Sequence, residues 1–302
     1  MKGKQVTDKH LVAGIVISMF LWGLSWPSNK VLTHYCTVVN FTVYRYIIVV
    51  ASMGLVVQLL GGGFRIVKKA VPDFIISGLL LAFYSFLFFQ GLKKGSPGAG
   101  GVLVTTLNPI MAYTLNIFIK KKLPSRNEAT GLVLGIIAGA ILLRLWDNSS
   151  LLDGGNLFFL LAALTWAVMS KFTSKGSQHG SSISFSLWQY MVTLLCLLPL
   201  TNFTEMRAAV HIKDAAFWLN LIFSSAIVTT MATTIYFYST TRLGAEKASS
   251  FIFLVPLAAA LSSWGMLGER ILPHTIVGGL LGIAAVYYIN KRKPVVIDIA
   301  GE

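Results

Sequence analysis

The sequence predicts an all-α polytopic membrane protein, with ten transmembrane helices arranged as two inverted five-helix repeats. Three observations carry that expectation. First, 55% of the 302 residues are hydrophobic and only 12% are charged, against about 25% charged in a soluble domain. With a mean hydropathy of +0.72, the chain has too little polar surface to face water on all sides. Second, apolar runs of about 20 residues, the length that crosses a hydrocarbon core, follow one another with short connections. Third, the stretch from Val102 to Leu143 lies over Ser249 to Asn290 without a gap, at a shift of 147 positions. Pro109 then meets Pro256, and Gly131 and Gly135 meet Gly278 and Gly282. Apolar helices share letters by chance, so the weight rests on these helix-breaking and small residues in register.

Taken in order, the ten spans fall at 11–31, 38–60, 73–92, 98–119, 129–146, 155–172, 183–202, 215–238, 247–268 and 273–290. The organisation expected is a tail over 1–10, a first unit over 11–146, a second over 147–290 and a tail over 291–302. The basic start before the apolar run at Leu11 imitates a signal peptide. That run carries Trp22, Trp26, Pro27 and Asn29 and no small-residue cleavage site, so it is expected to stay as the first helix.

With the N-terminus inside, the inner connections and tails hold 17 Lys and Arg. The outer connections hold six: Lys93, Lys94, Arg144, Arg207, Lys213 and Arg270. Basic residues gather on the cytoplasmic side, so both termini are expected in the cytoplasm of a bacterial inner (plasma) membrane. The same bias explains the net charge of +14, and no nucleic-acid partner is expected. Cys36 and Cys196 lie in separate segments, which supports neither a disulfide framework nor a metal site. Five spans per unit is an odd number, so the second copy enters from the opposite side. Inverted halves of this kind are the architecture of secondary transporters, because they provide two near-equivalent conformations, one open to each side.

Ionisable groups at membrane depth are costly and invite a functional reading. Arg45, about seven residues into the second helix, is the clear case; at a shift of 144 it faces Gln189, while Tyr46 faces Tyr190 and Trp22 faces Trp166. Arg45 either gives a cavity its positive potential or ties its helix to neighbouring carbonyls and headgroups. Trp22, Trp26 and Asn29 share one helix face, as a cavity-lining stripe or as packing and an interfacial anchor. Tyr84, Trp166 and Tyr236 are further aromatic candidates for a substrate-binding cavity. Asn108 precedes Pro109 and either binds substrate or satisfies the carbonyls that the proline frees. Pro27, Pro109 and Pro256 are candidate helix breaks; matched breaks in two halves point to a transporter's site. The glycines at 131, 135, 139, 278 and 282 have small-xxx-small spacing, for packing the fifth helix on the tenth or for a homodimer; monomer and homodimer both stay open.

Trp22-Gly23 with Lys30 seven residues on, Tyr44-Arg45-Tyr46 in the second helix, prolines in the fourth and ninth helices, and Gly268-Glu269-Arg270 before the last helix form one set. Together they resemble the ten-helix EamA-type branch of the drug/metabolite transporter superfamily, over nearly the whole chain. The first half departs from that pattern, with Lys121-Lys122-Leu123 where the second has the Gly-Glu-Arg turn. The resemblance implies export or exchange of amino acids and related metabolites.

The function expected is therefore a secondary transporter of small organic metabolites, with a small-molecule substrate and the lipid bilayer as its partners and no cofactor. Asp, Glu and His all fall at span edges, turns or tails, and proton-coupled carriers place such groups inside; facilitated diffusion or exchange follows. Uptake or exchange of a nucleotide-like or phosphorylated metabolite is the alternative that an unpaired Arg45 suits. A polytopic membrane enzyme would need clustered His, Asp, Glu or Cys at membrane depth, and the sequence has no such cluster.

Overall fold

The computed structural model describes residues 8–60, 63–65, 67–121, 123–147, 155–176, 181–243 and 251–290. Of the expected N-terminal tail, Asp8–His10 are already helical; residues 1–7, the boundary region 148–154 and the tail 291–302 lie outside the described residues. Among the described residues, all regular structure is helical. The helices are α1 (Asp8–Leu32), α2 (Val38–Leu59), α3 (Val71–Lys94), α4 (Pro97–Lys120) and α5 (Arg126–Leu142). The chain continues with α6 (Asn156–Gly176), α7 (Ser182–Leu197) and a short helix at Phe203–Ala209. Next is α8, which is α-helical over Ala215–Ile222, π-helical over Phe223–Ala232 and α-helical again over Thr233–Leu243. Last come α9 (Leu254–Leu267) and α10 (Pro273–Asn290). Among the described residues, seven helices are long and apolar enough to cross a bilayer, and α9 and α10 are shorter apolar helices. This is an integral, multi-pass membrane protein.

Helix ends follow local chemistry. Pro97 takes the first turn of α4, where its missing N–H is no loss, and Ser96 caps that helix by accepting from Ala99 N. Ser125 and Glu128 form a capping box on α5, which starts that helix three residues before the expected 129. It ends four residues before the expected 146: Arg144 turns to φ 51° and pairs with Asp147 at 2.9 Å, leaving Trp146 exposed beyond the helix.

The extensive contacts run between early and late helices. α5 packs along α10, α3 against α6 and α7, α1 against α8 and α9, α4 against α6 and α9, and α2 against α7 and α8. Lipid gives little hydrophobic drive for such contacts, so close approach over small residues carries them. A Cβ at Gly131 would lie 2.6 Å from the Ala285 carbonyl, and one at Gly278 would lie 2.6 Å from Leu142. Within the chain, Gly131 and Gly278 thus seat α5 on α10, while Gly135, Gly139 and Gly282 admit Ile110, Leu107 and Thr106 of α4. The outer surface keeps large apolar residues such as Ile17, Leu55, Phe83 and Leu280 exposed, while Ser77, Thr193, Ser224 and Ser225 are buried.

The three candidate break prolines take different places in their helices, and a 3-10 turn at Phe251–Phe253 runs directly into the helix that holds Pro256. α1 runs unbroken through Pro27 and α4 through Pro109, and Pro256 lies in the first turn of α9. At Pro27 the reason is visible: the proline frees the Gly23 carbonyl, and Ser262 of α9 donates its hydroxyl to it at 3.4 Å. Gly23 itself lets Ala258 approach so closely that a Cβ there would sit 2.3 Å from it. Proline in a first turn costs α9 nothing.

Candidate functional site

Arg45 is buried on α2 and reaches the π-helical segment of α8. Its Nε donates to Ser224 Oγ at 3.1 Å, and Nη2 donates to Thr229 Oγ1 at 3.1 Å and to the Ser224 carbonyl at 3.4 Å. The guanidinium carbon stands 5.0 Å from the centroid of the Phe89 ring. Nη1 makes no hydrogen bond among the described residues, and no carboxylate there lies within ion-pair distance of Arg45. The arginine is thus a positive charge held by neutral oxygens and a ring face.

The π-helical winding creates this arrangement. In an α-helix, residues five apart diverge by more than a right angle around the axis. An i→i+5 repeat brings them nearly into line, so Ser224 and Thr229 both meet the guanidinium, and Thr229 Oγ1 donates to the Ser224 carbonyl at 2.8 Å. Hydropathy alone passes over this segment. The clue was in its letters, since Ser224, Ser225, Thr229, Thr230, Thr233 and Thr234 crowd hydroxyls into one apolar run.

The aromatic candidates meet in pairs. Trp22 of α1 lies 5.2 Å from Tyr236 of α8, and Trp166 of α6 lies 4.9 Å from Tyr84 of α3, in edge contact. Each tryptophan thereby faces a tyrosine from the other end of the chain. Tyr46 and Tyr190 approach each other at 6.1 Å, and Tyr46 shares a 2.8 Å hydrogen bond with Ser85. Gln189, which faces Arg45 in the sequence shift, donates to the Ser77 carbonyl of α3 at 3.4 Å. Ser77 and Ser224 differ by the same 147 positions as the proline pair.

Among the described residues, Trp26 reaches this cluster only through Phe88, which stacks on Tyr84 at 5.6 Å. Trp26 is 4% exposed and packs between Phe88 and Phe159, at 4.7 and 5.8 Å. Its packing is the buried alternative to a cavity-lining stripe. Gly101 explains the burial, because a Cβ there would lie 3.2 Å from the indole. Asn29 is buried, and its Oδ1 has no hydrogen-bond partner among the described residues. Asn108 is half-buried on α4. Two open grooves of about 540 and 490 Å³ run between α2 and α7 and between α1 and α9. No candidate residue lines either of them.

At one end of the bundle, the turn after α1 is clamped to the connection before α8. Glu205 accepts from Thr37 N at 2.6 Å, Thr37 Oγ1 at 2.8 Å and Asn40 Nδ2 at 2.7 Å. Asn202 N donates back to Asn40 Oδ1 at 3.0 Å. Tyr35 donates to Asp214, which holds the Asp214 carboxyl below its ordinary range and raises the Tyr35 phenol. On the same helix, Lys30 donates to the carbonyls of Leu92, Lys93 and Gly95. A cation there satisfies the C-terminal end of α3 and opposes its dipole. Glu269, from the Gly-Glu-Arg turn, accepts from Ser96 Oγ at 2.8 Å and Gly98 N at 3.0 Å, and so caps α4.

Comparison with known proteins adds the family. The profile of the EamA-like transporter family matches twice, over residues 11–144 and 153–291. The uncharacterized transporter YoaV of Bacillus subtilis is 26% identical over 94% of this chain and 99% of its own. A protein of Salmonella typhimurium named a probable amino-acid metabolite efflux pump is 23% identical over 90% of this chain and 92% of its own. One from Streptantibioticus cattleyicolor named a probable terminal-alkyne amino-acid exporter is also 23% identical, over 93% of each chain. A solved crystal structure shares the fold at a TM-score of 0.60 and 16% identity, covering 94% of this chain and 98% of that one. With both matches spanning nearly all of its apolar segments, this chain belongs to the EamA-like transporter family, and it is a membrane transporter.

Proposed function

We propose that the protein exports or exchanges small organic metabolites, amino acids or related compounds, by alternating access between two inverted five-helix halves. The observation that carries this reading is the reciprocal pairing of Trp22 with Tyr236 and Trp166 with Tyr84. Exchanging the first five helices for the last five carries α1 and α8 onto α6 and α3, and so carries one pair onto the other. The same exchange carries the Arg45–Ser224 contact onto Gln189–Ser77. It leaves α2–α7, α4–α9 and α5–α10 paired with themselves, as an axis in the membrane plane requires. The aromatic pairs and Arg45 then surround the solute path, with the termini in the cytoplasm of a bacterial inner membrane.

Opening to the outer side would part the clamp at Glu205 and Asp214. An interhelical hydrogen bond in a membrane protein averages about 0.6 kcal/mol, so these bonds can break together within an ordinary transport cycle. The relatives named for amino-acid metabolites and a terminal-alkyne amino acid favour amino-acid-like cargo. The test is a solute panel in proteoliposomes, with and without a pH gradient. Counterflow of amino-acid-like solutes that is indifferent to the gradient is expected. Strict dependence on the gradient would overturn exchange, and absence of any solute flux above empty liposomes would overturn the transport reading.

A further inference from the structure

Resting on that transport reading, we propose that the Nη1–Nη2 edge of Arg45 docks the carboxylate of the carried solute. A buried guanidinium is costly at membrane depth unless it is paired and hydrogen-bonded, and here its partners are Ser224, Thr229 and the Phe89 ring. Neutral oxygens satisfy N–H groups but leave the charge uncompensated. Nη1 makes no hydrogen bond among the described residues, and the neighbouring Nη2 holds the Ser224 carbonyl only at 3.4 Å. A carboxylate that bridges Nη1 and Nη2 gives up this one long contact and gains the fork geometry that arginine offers an anion. The Nε bond to Ser224 Oγ and the Nη2 bond to Thr229 survive, and they hold the fork in place.

The charge selects among anions. One carboxylate neutralises one guanidinium, whereas a phosphate dianion leaves a net negative charge beside the neutral Ser224 and Thr229 hydroxyls and the Phe89 ring face. The remaining walls are aromatic. Phe89 leads to Phe88 at 4.9 Å, Phe88 to Tyr84 at 5.6 Å and Tyr84 to Trp166 at 4.9 Å. An apolar or aromatic body suits them, so the solute class is a monocarboxylate with such a body, zwitterionic amino acids included.

The test uses the full chain purified in detergent, with tryptophan fluorescence and thermal shift as readouts. The probes are 3-phenylpropionate, L-phenylalanine, its methyl ester and phenyl phosphate. Both carboxylates should bind, the ester and the phosphate at least about tenfold more weakly, and Arg45→Gln should lose about tenfold or more for the carboxylates alone. Should that variant fold poorly, Thr229→Val serves: it removes one of the two bonds that hold the fork, so carboxylate binding should weaken several-fold while the ester and the phosphate bind as they do to the unaltered protein. Equal binding of acid and ester, wild-type binding by Arg45→Gln, undiminished carboxylate binding in Thr229→Val, or no carboxylate binding at all would each overturn the docking. Uptake of the same probes into proteoliposomes separates the two readings. Flux without preference for the carboxylate sinks the docking alone, and carboxylate binding without flux upholds the docking and sinks transport.

Discussion

Cys36 occupies the turn between α1 and α2, next to Glu205. Burial first, and the Glu205 charge second, push its thiol from 9.0 up to about 11. Because the thiolate is the nucleophile, maleimide should label Cys36 slowly at neutral pH and faster only as the pH climbs toward 11. Mass spectrometry on a Cys196→Ser background would read this, and rapid labelling at pH 7.5 would disprove it. The folded chain holds this proton more tightly than the unfolded one. The stability it contributes is therefore complete below the ordinary value and lost as pH rises through about 11. Asp214 has the opposite sign, since its carboxyl is depressed by Tyr35 first and by Ala216 N–H second; its contribution is present above the ordinary value and lost as pH falls through the depressed one. Residues in tight turns owe such shifts to partners far away in the chain, so the sequence predicts neither.

Among the elements, α5 and α10 depend on glycine where backbones touch. Gly131→Ala would put a Cβ 2.6 Å from the Ala285 carbonyl and 2.9 Å from Ile289 N, and backbone cannot swing aside. Overpacking of this kind costs about 1–3 kcal/mol, so the melting temperature in detergent should fall. Gly54→Ala on α2 meets nothing within 4 Å and should stabilise the protein by up to about 1 kcal/mol through helix propensity. A neutral Gly131→Ala would show that α5 and α10 slide apart more readily than their contact implies. That these glycines admit close neighbours was legible in advance, because four-residue spacing of small residues is a local pattern; that Gly135, Gly139 and Gly282 turn to α4 was not. The π-helical stretch of α8 was not. Its i→i+5 repeat leaves hydropathy unchanged, and its partner Arg45 lies 179 residues away. Trp26 misled for a related reason, since its neighbours on α1 look cavity-facing until Gly101 is known to admit the ring. Pro109 and Pro256 matched in register, yet one lies inside a continuous helix and the other in a first turn; register alone does not tell these positions apart.

Across the whole molecule, hydropathy located the helices well and the repeated stretch tied early segments to late ones. What no single stretch of sequence displays is the exchange of partners, in which tryptophans 144 positions apart each meet a tyrosine contributed by the opposite group of five helices. The topology proposed from the basic residues can be checked directly. A cysteine at Asn148 should react with an impermeant maleimide added outside intact cells, and one at Lys121 should not; the reverse pattern would invert the protein in the bilayer.

The cross-pairing of early with late helices also bears on how the protein is made. A ribosome that has released α1 to α5 has delivered helices whose principal neighbours have yet to be synthesised. Their buried faces, with Arg45, Ser77 and Thr106 among them, must meanwhile lie against lipid or an insertase. A chain truncated after α5 would therefore keep those faces without the helices that cover them in the full chain.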